Sequence, residues 1–81
     1  MKKKIYIEHR FQPAYFNRRC YANIPATHWV ELLDVEEVLG EDWDALYDCD
    51  RTYEEALAGL LAQMKNNGVD LEAVEVEIVK A

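Results

Sequence analysis

Thr27-His28-Trp29-Val30-Glu31-Leu32-Leu33-Asp34-Val35-Glu36-Glu37-Val38-Leu39 is the segment on which the architecture of this 81-residue chain turns. Two periodicities fit it. Thr27 can cap a helix running to Leu39, with Trp29, Leu32, Leu33, Glu36 and Leu39 along one face and Gly40 ending it. His28–Leu33 can equally be a strand. The helical reading is the one carried forward here, and the flanking segments are placed around it.

Downstream, Trp43, Ala45, Tyr47 and Cys49 alternate with Asp44, Leu46 and Asp48, the period of a strand. It leads into the clearest element, a helix from Thr52 to Asn67. Thr52 and Glu55 have capping-box spacing, and Glu54 and Glu55 suit the positive end of the helix dipole. Tyr53, Ala56, Leu57, Leu60, Leu61 and Met64 form one apolar stripe, and Gly68 follows as a C-terminal cap. Glu72–Val79 alternates again, with Val74, Val76 and Ile78 on one face.

Upstream, Ile5, Ile7, His9 and Phe11 alternate with Lys4, Tyr6, Glu8 and Arg10, which predicts a first strand. A turn around Gln12–Ala14 would lead to a second strand near Phe16–Ile24, with Cys20, Ala22 and Ile24 inward. Arg18 then falls on the inward parity, against the pattern. The order β-β-α-β-α-β predicts an α+β fold: one antiparallel sheet of about four strands with two helices on one face. Residues 1–81 make a single domain with one modest core.

Composition narrows the class. An apolar content of 51%, with two Trp residues, argues for a folded chain rather than a disordered acidic tail. Glu8, His9 and Arg10 interrupt any apolar stretch that could follow Lys2–Lys4 as a signal peptide, and no apolar run is long enough to cross a bilayer. A cytoplasmic setting is expected. Cys20 and Cys49, 29 residues apart, read as buried thiols in a reducing compartment.

Charge is sharply segregated. Residues 1–24 carry six bases and one acid, whereas eleven acids and a single base, Arg51, lie between Glu31 and Glu55. The split of +5 and −12 makes up the net charge of −7. If Asp42–Asp50 is extended, Asp42, Asp44, Asp48 and Asp50 share a face, with adjacent members about 7 Å apart. Glu31, Asp34, Glu37 and Glu41 add a second ridge if residues 27–39 are helical. Such a surface could occupy a groove built for a phosphate backbone. The plainer reading is a solvated face that keeps a small protein soluble.

Other chemistry is less well supported. Lys4, Tyr6, Arg10, Arg19 and Tyr21 could stack and pair with unpaired bases of RNA, or Tyr6 and Tyr21 could simply form a cross-strand pair. The net charge opposes approach to a polyanion, so direct nucleic-acid binding ranks low. His9, His28, Cys20 and Cys49 lack the close spacing of zinc ligands, and the acidic stretch lacks the glycine and distal Glu of an EF-hand. No metal or cofactor is expected. The chain contains no serine, and nothing marks either cysteine as an activated nucleophile. Catalysis is not expected.

The stretch Ala45-Leu46-Tyr47-Asp48-Cys49-Asp50-Arg51-Thr52-Tyr53-Glu54-Glu55-Ala56-Leu57 resembles the strand, capping Thr and Glu-Glu-Ala-Leu helix start of HicB-like antitoxins. With an N-terminal hairpin and Val74–Ile78 as closing strand, about half the chain would follow a β-β-β-α-β pattern. That resemblance implies a small protein that binds and blocks a toxin RNase, and carries over no catalytic residue. In size and charge the chain is also similar to small acidic phage inhibitors, anti-CRISPR proteins among them. The function ranked first is a non-catalytic inhibitor or regulator whose acidic surface covers a basic, nucleic-acid-handling protein. The antitoxin reading is second and an RNA-binding hairpin third. A homodimer through the edge strand Glu72–Val79 is open.

Overall fold

Ile5 and Ile7 are buried while Lys4 before them is exposed and Tyr6 between them is only partly buried, the period of two that a strand imposes on side chains. They belong to β1 (Lys3–Gln12), the central strand of a computed structural model that describes residues 2–81. The elements that follow are β2 (Tyr15–Asn17), β3 (Ala22–Ile24), β4 (Thr27–Leu32), α1 (Val35–Leu39), β5 (Tyr47–Asp50), α2 (Tyr53–Asn66) and β6 (Val74–Lys80). The fold is mixed α and β, with a four-stranded sheet ordered β5-β4-β1-β6 and a separate ribbon of β2 and β3.

The ambiguous segment divides. Residues 27–32 are strand, and only residues 35–39 are helical. Thr, Trp and Val favour the extended state, and β4 pairs on both sides, with β1 and with β5. Those ladders outweigh the helical alternative. Asp34 then takes a left-handed conformation (φ 55°), which breaks the strand before α1 begins. Val30 and Leu32 of β4 face the same way as Ile7 and are buried with it.

Four further expectations are corrected. The sheet is mixed, because β6 runs parallel to β1 (Ile5 opposite Val76, Ile7 opposite Ile78). Alternation identifies a strand but carries no information about its neighbour's direction. The expected third strand is only four residues long, and residues 41–46 are irregular. The chain does not reverse at Gln12–Ala14; it reverses at Arg18–Tyr21, so Arg18 lies in a turn and its inward parity never arises. Finally, Cys20 and Cys49 are both free and exposed, one in that turn and one on an edge strand.

Helix α2 matches its sequence signals closely. Thr52 Oγ1 accepts the Glu55 N–H at 3.2 Å, and Gly68 takes a positive φ of 93° just beyond the C-terminus. Ala56, Leu60 and Met64 are fully buried against Ile5, Ile7, Val30 and Leu32, with Val35 and Leu46 completing the core. Leu57, Leu61, Val74, Val76 and Ile78 pack around it. No residue between Ile7 and Val30 belongs to this core.

That gap has a structural counterpart. The ladder between β1 and β4 ends at Gln12 opposite Thr27, and the β2–β3 ladder begins at Tyr15 opposite Ile24. Between them stand Pro13-Ala14 in one limb and Pro25-Ala26 in the other. These are the chain's two prolines, and neither can donate a ladder hydrogen bond. The fifteen residue steps from Lys3 to Arg18, at about 3.3 Å each, span about 50 Å, and the longest dimension of the molecule is 49 Å. The ribbon therefore continues the direction of β1 as an arm. The radius of gyration, 14.6 Å, exceeds the roughly 12 Å of a compact chain of this length.

Candidate functional site

Strand β4 determines where the acidic side chains go. Its register pairs Val30 with Asp48 and His28 with Asp50, so Asp48 and Asp50 lie on the helix side of the sheet. Glu31 pairs with Tyr47 on the opposite, open side. Glu31 is also opposite Glu8, and Arg10 sits between the two carboxylates, pairing with Glu8 and approaching Glu31 at 4.0 Å. Glu31 is thus apart from the other acids and already countered.

The remaining seven occupy one end and one edge of the molecule. Asp34 and Glu37 are exposed at α1, and Glu41, Asp42 and Asp44 are exposed on the connection from Gly40 to β5. This end is fixed to the sheet by Leu33 N–H donating to the Tyr6 carbonyl and Leu32 N–H to the Leu46 carbonyl, both at 2.9 Å. Lys3 Nζ reaches the Glu37 carbonyl there at 3.4 Å. Asp48 and Asp50 continue along edge strand β5. Among the described residues, none of these seven carboxylates forms an ion pair.

Two of them are held in place. Asp48 is half-buried over α2, where Gly59 leaves room for it, and its Oδ1 accepts the Cys49 N–H at 2.8 Å. Asp50 accepts the Arg51 N–H at 2.7 Å and lies beside the carboxyl of Glu55. A hydrogen bond with Asp50 and the repulsion of its charge push the Glu55 pKa above the usual carboxylate value. Negative charge is therefore dense enough at this corner for one carboxylate to retain its proton more strongly.

A second group lies where the body meets the arm. His9 Nε2 and His28 Nδ1 are 2.9 Å apart, one donating and the other accepting, and the rings stack at 5.1 Å. Tyr53 packs on His9 and Phe11 on His28. Burial, then the neighbouring His28 and Lys80, lower the His9 pKa below its usual 6.5. Among the described residues no three His, Cys, Asp or Glu side chains converge as metal ligands.

The open sheet face was not legible from sequence. Trp29, expected in the core, lies there and stacks on Tyr47 at 4.6 Å and 14°. Trp43 does pack against the core. Lys4 pairs with Glu77 at 3.4 Å on the same open face, and this carboxylate raises the Lys4 pKa. Tyr6 lies on β1 opposite Glu77 while Tyr21 is in the arm turn, so the two form no cross-strand pair. Reading 27–32 as a strand would have exposed this face, because the parity of Val30 and Leu32 sets that of Trp29 and Glu31.

Comparison with protein-family models, with curated proteins and with solved structures finds no match. No helix among the described residues is long and apolar enough to cross a membrane.

Proposed function

We propose that this protein is a non-catalytic inhibitor or regulator that binds a basic, nucleic-acid-handling protein through its acidic surface, in the manner of small acidic phage inhibitors such as anti-CRISPR proteins. The observation that carries the reading is the unpaired state of Asp34, Glu37, Glu41, Asp42, Asp44, Asp48 and Asp50 among the described residues. Uncompensated carboxylates along one end and one edge of the molecule attract a cationic groove and compete there with a phosphate backbone. Rigid placement of Asp48 and Asp50 supports it, since charges that are already positioned lose less freedom on binding.

A HicB-like antitoxin is the second reading. It rests on the resemblance at Ala45–Leu57, where strand β5 leads into the Thr52-capped helix α2. It narrows the partner to a small basic RNase.

Affinity capture from a host lysate tests the first reading with two baits, the natural chain and the triple variant Asp42→Lys, Asp44→Lys, Asp48→Lys. A basic nucleic-acid-binding protein held by the first bait, released by heparin or added salt and not held by the second, is the expected result. Equal capture by both baits would reduce the acidic surface to a solubilising one. Capture of a short basic RNase, with its activity suppressed, selects the antitoxin reading.

A further inference from the structure

We propose that the β2–β3 arm binds single-stranded nucleic acid, stacking bases on its aromatic rings and pairing phosphates with Arg18 and Arg19. The arm stands outside the core: its strands pack chiefly on each other, and none of its residues joins the buried cluster. A two-stranded ribbon without a third strand or a helix behind it is marginal in water, so its apolar side chains await a partner. Those side chains are large. Phe11 at the root is 56% exposed, and Tyr15, Phe16 and Tyr21 are 44%, 52% and 83% exposed.

The tip is built to present them. Asn17 Oδ1 accepts the Arg19 N–H at 2.9 Å, and Tyr21 adopts a left-handed φ of 50° that a non-glycine residue seldom takes. Phe16 and Tyr21 meet edge to face at 6.4 Å, leaving ring surface open. No acidic residue occurs between Glu8 and Glu31, and among the described residues neither Arg18 nor Arg19 forms an ion pair. At the arm's root, Arg10, Phe11, Gln12, Thr27 and Trp29 line a shallow groove of about 400 Å³. Guanidinium groups beside exposed rings, with no carboxylate between them, suit an unstacked strand that offers phosphates and π-faces together.

The overall charge of −7 does not prevent this. The seven unpaired carboxylates lie at the far end and along β5, whereas Arg18 is about 20 Å beyond the end of β1, more than twice the screening length of about 8 Å at physiological salt. Charge alone would also suit the acidic end of a second copy. Residues 34–44 at that end, however, carry none of the large exposed apolar side chains; among the described residues those outside the arm are Tyr47, beside Asp48 on β5 and stacked on Trp29, and Val79 on the opposite edge strand. The arm's rings would find nothing there to cover them, and bases would.

Fluorescence anisotropy with end-labelled single-stranded RNA and DNA 12-mers of one sequence, and the matching duplex, tests the proposal on the full chain. Saturable binding of one or both single strands at low salt is expected, weakening about 25-fold for a tenfold rise in salt if two phosphates are paired. Tyr21→Ala should weaken it about tenfold or more, and Arg18→Glu with Arg19→Glu should abolish it. Thermal melting should be unchanged in these variants, since the arm adds nothing to the core. The triple Lys variant of the acidic end should still bind, which separates this inference from the acidic-surface reading. Absence of binding at low salt, equal binding by the arm variants, tighter binding of duplex, or arm-dependent dimers by sedimentation with no nucleic-acid binding would each overturn it.

Discussion

Gly59 is the position where helix packing and the acidic edge meet, and what replacing it with Ala does depends on one neighbour. In an isolated helix, Gly→Ala is favourable by about 1 kcal/mol. Here a Cβ at residue 59 would overlap Asp48 Oδ2 and lie only 2.9 Å from Asp48 Cγ. The carboxylate must move, which removes its hydrogen bond to the Cys49 N–H, about 1 kcal/mol. With the carboxylate moved, the nearest remaining atom is Asp48 Cβ at 3.8 Å, an ordinary contact. The two effects offset, so Gly59→Ala should leave stability within about 1 kcal/mol of the natural chain. In an Asp48→Ala background the obstacle is gone, and the same substitution should stabilise by about 1 kcal/mol. Urea denaturation of the four proteins in this double-mutant cycle measures a coupling of about 1 kcal/mol. If Gly59→Ala stabilises both backgrounds equally, Asp48 does not lie over the helix, and the account of how that carboxylate is held fails.

Three other perturbations are checked more simply. Thr52→Ala removes the cap on Glu55 N–H and should lower stability by about 1 kcal/mol, read as a reduced urea midpoint with unchanged slope. Asp50→Asn should return the Glu55 pKa toward the ordinary carboxylate range, because Asp50 is the main cause of its elevation; a carboxyl NMR titration reports it. His9 has a folded pKa below its unfolded 6.5, so the unfolded chain binds more protons between the two values. Stability should then fall as pH drops through that window, and His9→Gln should flatten the dependence in urea midpoints collected from neutral to mildly acidic pH.

What could be read from sequence was what is local. Thr52, Glu55 and the Ala56–Leu60–Met64 spacing specify α2 within four turns of chain, and its structure follows them. Val74, Val76 and Ile78 announce a strand, yet its parallel pairing with β1 depends on a neighbour some seventy residues away. The segment 27–39 failed as a helix because its alternatives differ in tertiary partners, not in propensity: two ladders hold residues 27–32 extended. The density of carboxylates from Asp34 to Asp50 was plain, but their distribution over faces was not. Once β4 is a strand, parity sends Glu31 to one side and Asp48 to the other. The arm is hidden in the sequence because Pro13 alone suits a turn, and the matching Pro-Ala pair at residues 25–26 marks a second root only through the strand register.

The position of β1 imposes an order on synthesis. β1 is an inner strand of the sheet, and it leaves the ribosome some seventy residues before its parallel neighbour, Val74–Lys80. Until β6 emerges, β1 keeps one unpaired edge in which Lys3, Lys4 and Arg10 are the charged guards against mispairing. Without β6 that edge would stay bare, a template on which a strand of another molecule could pair.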